Sequence, residues 1–112
     1  MSKVKTSQKL NILITGAGAP GISGTIYSLK KNFDNREIII IGTDAKKNVV
    51  GKFLCDRFYV IPPVKNVKNY LKTLIKICKE ENVNVLIPQN TMELSILSSN
   101  QNKFNKVGTK VL

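Results

Sequence analysis

Residues 10–24 read Leu10-Asn11-Ile12-Leu13-Ile14-Thr15-Gly16-Ala17-Gly18-Ala19-Pro20-Gly21-Ile22-Ser23-Gly24: an aliphatic run, a glycine-rich turn, then the opening of a helical pattern. A near-continuous apolar strand bounded by glycine fits a parallel sheet covered on both faces better than a half-exposed hairpin sheet. Gly16, Gly18 and Gly21 match G-x-G-x-x-G between a strand and a helix, and Gly18, Gly21 and Gly24 also match G-x-x-G-x-x-G. In that setting backbone N–H groups and a helix N-terminus hold a phosphate or carboxylate, and Gly16, Gly18, Ala19, Pro20, Gly21 and Ser23 become candidate anion or substrate contacts. The plainer alternative is that the glycines only permit a tight turn and close packing. Pro20, with its fixed φ, suits the first turn of a helix running through Ile22, Ile26 and Leu29 to about residue 32.

Working outward, further strands are predicted at Ile38 to Ile41, Phe58 to Ile61, Val83 to Ile87 and Thr109 to Leu112. Residues 66–81 form an amphipathic helix. Val67, Tyr70, Leu71, Leu74, Ile75 and Cys78 recur at helical spacing, and Lys65, Lys68, Lys72, Lys76 and Lys79 line the other side. Another helix starts at Asn90 or Thr91 and carries Leu94 and Leu97 inward to about Lys103; residues 45–56 read as a loop with one short helix. The alternation specifies an α/β, Rossmann-like, three-layer parallel sheet of about five strands in the order 3-2-1-4-5, with helices on both faces. Residues 1–9 form a flexible basic tail and residues 10–112 the domain.

Ligands of such sheets bind beyond the carboxyl ends of the strands where the order reverses, here between the first and fourth strands. One lip is the glycine loop. The other is Pro88-Gln89-Asn90-Thr91-Met92-Glu93, where Gln89, Asn90, Thr91 and Glu93 offer polar groups to a small substrate. Asn90 and Glu93 also suit a capping box. Asp44 lies roughly twenty residues beyond the glycines, as an acid binding ribose hydroxyls would, but Gly42 and Thr43 set it beyond the expected strand end. It reads equally well as a solvated turn aspartate.

The composition narrows the chemistry. The chain has 112 residues, enough for one modest core, and no His. Cys55 and Cys78 make neither a zinc site nor a disulfide framework, which points to a reducing, cytoplasmic setting. No catalytic residue and no metal ligand set is identifiable. The net charge of +11 invites a nucleic-acid reading, yet all but Arg36 and Arg57 of the 18 bases are Lys, and no aromatic residues interleave with Arg. A solvated lysine face is expected, with no specific nucleic-acid site. No run approaches the roughly 18 apolar residues of a membrane span.

Four motifs in order carry a resemblance: Asn11-Ile-Leu-Ile-Thr-Gly-Ala-Gly18, Ile41-Gly-Thr-Asp-Ala45, Asp56-Arg-Phe-Tyr-Val-Ile-Pro-Pro63, and Val85-Leu-Ile-Pro88 followed by Glu93-Leu94. Residues 10–112 resemble the N-terminal pre-ATP-grasp domain of ATP-grasp proteins similar to the carbamoyl-phosphate synthase large subunit. The resemblance implies a Rossmann-like domain whose glycine loop forms one wall of a substrate cleft. It also implies a partner, an ATP-grasp domain or subunit that supplies ATP, magnesium and acyl-phosphate chemistry. By the same resemblance the chain is a truncated piece or one part of a split enzyme, binds no cofactor alone, and self-associates through the face meant for its partner. This chain has Thr91 where relatives commonly carry Asp, while Glu93 keeps its place. A self-sufficient NAD(P)-binding module is the alternative expectation.

Overall fold

The computed structural model describes residues 9–31 and 36–112. Five strands, β1 (Leu10–Ile14), β2 (Ile38–Asp44), β3 (Arg57–Val60), β4 (Val85–Ile87) and β5 (Lys110–Val111), form one all-parallel sheet in the order β3-β2-β1-β4-β5. The expected order is the observed one. The helices are α1 (Ile22–Lys30), α2 (Gly51–Leu54), α3 (Val67–Glu80), α4 (Thr91–Ser98) and α5 (Gln101–Asn105). Of the expected basic tail, residues 1–8 lie outside the described residues; the first helix, expected to run to about residue 32, ends at Lys30, with Lys31 as its C-cap.

Alternation along the strands splits the core between the two faces. Leu13, Ile41 and Leu86 stand side by side across β1, β2 and β4 and pack with Tyr70, Leu74, Cys78, Leu97 and Phe104 from α3, α4 and α5. Ile12, Ile14, Ile38 and Ile40 point to the other face and pack with Ile22 and Ile26 of α1. Because β1 is apolar on both sides, it occupies the centre of the sheet.

Several boundaries differ from the sequence reading, each for a local reason. The first helix begins at Ile22, not Pro20. The Ile22 N–H donates to the Ala19 carbonyl, so the fixed φ of Pro20 serves a turn before the helix. β2 runs three residues past Ile41, because Gly42 leaves room for Cys55: a Cβ there would lie 2.4 Å from Cys55 Sγ. Asp44 is therefore the last residue of the strand, not set beyond it. On α3 the buried side is Tyr70, Leu71, Leu74, Ile77 and Cys78, while Val67 is exposed and Ile75 half-buried. Seven residues make nearly two full turns, which returns Ile77 beneath Tyr70. The five lysines of the α3 stripe are all exposed, as expected.

The expected last helix is two helices, and Leu94 is exposed while Leu97 is buried. Asn100 Nδ2 donates to the Ile96 carbonyl at 2.8 Å and takes the acceptor that a continuing helix would use, so the chain breaks between α4 and α5. The short helix expected within residues 45–56 is α2, and both cysteines are free. Among the described residues no helix is long and apolar enough to cross a membrane.

Candidate functional site

β1 and β4 are neighbours although their connections leave in opposite directions, and their carboxyl ends open on a cleft of about 370 Å³. Its lining is Gly16, Asp44, Ala45, Val64, Asn90, Thr91, Met92 and Glu93. The two lips expected from sequence do face one another. Gly16 has φ +65, and a Cβ on it would stand 3.2 Å from Glu93 Oε1 and 3.3 Å from Gln89 Cβ. Glycine is thus required both by the backbone and by the approach of the opposite lip.

Glu93 is the most buried carboxylate described, at 6% exposure. Its place is set by α4: Asn90 caps the helix, its Oδ1 accepting from Glu93 N–H at 2.9 Å, while Asn90 Nδ2 donates to Glu93 Oε1 at 2.7 Å. Half of the expected capping box forms; the returning bond goes to Glu93 from the Asn90 side chain. The other carboxylate oxygen accepts from the Tyr70 hydroxyl at 2.6 Å. Burial first, and then this bond and the Glu93 charge, push the Tyr70 phenol well above its ordinary pKa. Thr15 Oγ1, fully buried beside that phenol, makes no hydrogen bond of ordinary geometry. Sequence reasoning placed Tyr70 in the core and missed this role; the available signal was that a buried tyrosine hydroxyl needs an acceptor. Ala45, Val64 and Met92 were missed because apolar lining residues carry no chemical signature.

The glycine loop is closed on itself. Ala17 N–H donates to the Thr43 carbonyl at 2.9 Å, Ala19 N–H to the Gly16 carbonyl at 2.8 Å, and Gly18 N–H to Asp44 Oδ2 at 2.9 Å. Asp44 Oδ1 accepts from Lys46 N–H at 2.9 Å, so both of its oxygens are held by backbone donors. The segment entering α2 covers the loop. A Cβ on Gly18 would meet Val49 Cγ1 at 2.9 Å, and one on Gly51 would meet the Ala17 carbonyl at 2.0 Å. Packing alone accounts for these glycines. By contrast nothing approaches Gly21 or Gly24 within 4 Å, and Ala19, Pro20, Gly21 and Ser23 lie outside the cleft lining.

A second hollow, of about 260 Å³, lies at the amino ends of the strands beside Lys9, Asn11, Arg57 and Glu81. There Glu81 is joined by the Tyr59 hydroxyl and by Arg57 at 3.4 Å. Its hydrogen bond first, and then burial, raise the Tyr59 pKa. Asp56 accepts from Ile40 N–H at 2.8 Å and from Lys30 at 2.7 Å; burial pulls its pKa upward, but these two donors hold it below the ordinary carboxylate value. Among the described residues no group of His, Cys, Asp or Glu is placed to hold a metal ion.

A family model described as PylC-like, N-terminal domain matches residues 12–112. No curated protein matches the chain significantly. Among solved structures, dTDP-glucose 4,6-dehydratase from Bacillus anthracis str. Ames, in complex with NAD, is similar with a TM-score of 0.55 and 18% identity, over 91% of this chain and 36% of the dehydratase. At that identity the likeness speaks to the Rossmann-like fold alone, and the chain spans about a third of the dehydratase's length.

Proposed function

The chain belongs to the PylC-like N-terminal domain family, of the pre-ATP-grasp type, and from that premise we infer that it is the substrate-side module of an ATP-grasp ligase, resembling that of the carbamoyl-phosphate synthase large subunit. The family match over residues 12–112 supports the ATP-grasp part of this reading, and the four sequence motifs are what suggest the carbamoyl-phosphate synthase part. In it the module is non-catalytic alone, and the cleft between Gly16 and Glu93 borders a small-molecule substrate. A partner ATP-grasp domain or subunit supplies ATP and magnesium. Exposed Val50, Phe53 and Leu54 around α2 support a docking partner or self-association of the chain. Two free cysteines support a cytoplasmic setting.

The gene product in full tests the reading. It is expected to contain an ATP-grasp domain and to release ADP in a substrate-dependent manner, with Glu93→Gln raising KM for substrate and leaving KM for ATP unchanged. A coding sequence without a second α/β domain bearing an ATP site, together with no separate ATP-grasp subunit that restores substrate-dependent ADP release, would overturn it.

A second reading, a self-sufficient NAD(P)-binding module, is favoured by one observation: Asp44 stands at the end of β2, where a ribose-binding acid belongs. Against it, both Asp44 oxygens are held by Gly18 and Lys46 N–H groups, and Val49 lies where a pyrophosphate would approach Gly18.

A further inference from the structure

The segment Val49-Val50-Gly51-Lys52-Phe53-Leu54-Cys55 turns one side inward. Val49 stands over Gly18, Gly51 packs on the Ala17 carbonyl, and Cys55 fills the space over Gly42. With that side used, Val50, Phe53 and Leu54 are left in solvent at 65%, 81% and 41% exposure. Tyr27 of the neighbouring α1, 64% exposed, belongs to the same surface. It stands one turn before Lys30 on the same side of the helix, and Lys30 Nζ reaches Asp56 Oδ2, just beyond α2, at 2.7 Å.

The rim of this apolar surface is basic. Lys31 Nζ lies over the Tyr27 ring, 5.5 Å from its centre, and Lys52 Nζ over the Phe53 ring at 6.0 Å. Lys46 and Lys47 are exposed on the approach to α2. Neither α1 nor residues 45–55 contain an Asp or Glu, and none of these four lysines forms an ion pair among the described residues. A second copy of the chain is therefore a poor occupant, because a two-fold pairing through this face sets the lysines against their own copies. A bilayer surface calls for a helix with a long free apolar face. Here α2 has four residues, and Ile22 and Ile26 of α1 are buried on the sheet.

We propose that the α1–α2 surface docks an acidic amphipathic helix of a partner, whose apolar face seats on Phe53 and its three neighbours and whose flanking carboxylates meet the four lysines. Phe53 is the anchor, as the most exposed large apolar side chain described. Val49 and Gly51 press on the glycine loop from beneath, so the docked helix bears on one wall of the cleft. The proposal rests on the reading of the chain as a module with a docking partner.

Two peptides of about 18 residues and identical Glu and Leu composition, one with leucines at helical spacing and one scrambled, test it by NMR titration of the 15N-labelled chain. The amphipathic peptide is expected to shift the Tyr27, Val50, Phe53 and Leu54 amides saturably and to bind about tenfold or more tightly than the scrambled one. The scrambled peptide has the same charge and so measures the bulk attraction of a chain of net charge +11. Phe53→Ala and Lys52→Glu are each expected to weaken the amphipathic peptide about tenfold. Both side chains are exposed, and unchanged core amides show that the fold is kept. Equal affinity for the two peptides, shifts centred on the α3 lysines, or full affinity in both variants overturns the proposal. So does Phe53-dependent binding of phosphatidylglycerol vesicles without binding of the peptide, which assigns the surface to a membrane. ATP-dependent ligation by the gene product with no peptide binding would sink this proposal and leave the functional reading standing; peptide binding where neither the gene product nor a separate subunit supports ligation would do the reverse.

Discussion

The Tyr70 hydroxyl donates to Glu93 Oε2 across 2.6 Å, joining α3 to α4 beneath the carboxyl ends of the sheet. Both residues are buried, and each satisfies a polar atom that the other's position would leave unpaired. The bond ties the core to the cleft: the helix that seals one face of the sheet also fixes the acid on the opposite lip.

Tyr70→Phe removes the donor and leaves Glu93 short of one partner in a buried place. The expected cost is about 1–3 kcal/mol, read as a lower urea midpoint with unchanged slope. The variant also changes the alkaline limb. Because the folded chain holds the phenol proton more tightly than the unfolded chain, this stabilisation is complete below about pH 10 and is lost as pH rises above it. Stability against pH should fall more steeply above that point in the parent chain than in Tyr70→Phe.

Gly16 and Gly21 belong to one motif and should behave oppositely. Gly16→Ala places a side chain at φ +65 and 3.2 Å from Glu93 Oε1, and should destabilise by about 1–2 kcal/mol or more. Gly21 has φ −90 and open space around it, so Gly21→Ala should be neutral or stabilise by up to about 1 kcal/mol through the unfolded chain. Thermal melts of the two variants decide the matter.

Cys55 and Cys78 should both be sluggish nucleophiles. Burial pushes each thiol up to about 11. At neutral pH the half-buried Cys55 should react with iodoacetamide about tenfold or more slowly than a free cysteine, and Cys78 should react only as the chain unfolds. Mass spectrometry of the alkylated chain at several urea concentrations distinguishes the two sites.

The strand order was legible because β1 and the four isoleucines of β2 are apolar on both faces, which leaves them only the centre of a covered parallel sheet. Asn90 was legible as a cap and Glu93 as its companion, since capping is local chemistry. What sequence could not convey was reach. Tyr70 looks like any apolar helix position until the tertiary fold brings it under Glu93. The end of β2 depended on Cys55 filling the space over Gly42. The phosphate-like signature of the glycine loop was legible, but its amides are engaged by Thr43, Gly16 and Asp44, partners that only the fold identifies.

In the proposed function this domain contributes a substrate cleft and leaves nucleotide binding to a partner. Calorimetric titration of the chain with MgATP and with NAD tests it most directly. No saturable heat for either at millimolar concentration is the predicted result; saturable binding of either nucleotide, abolished by Gly18→Val or Asp44→Asn, would contradict it.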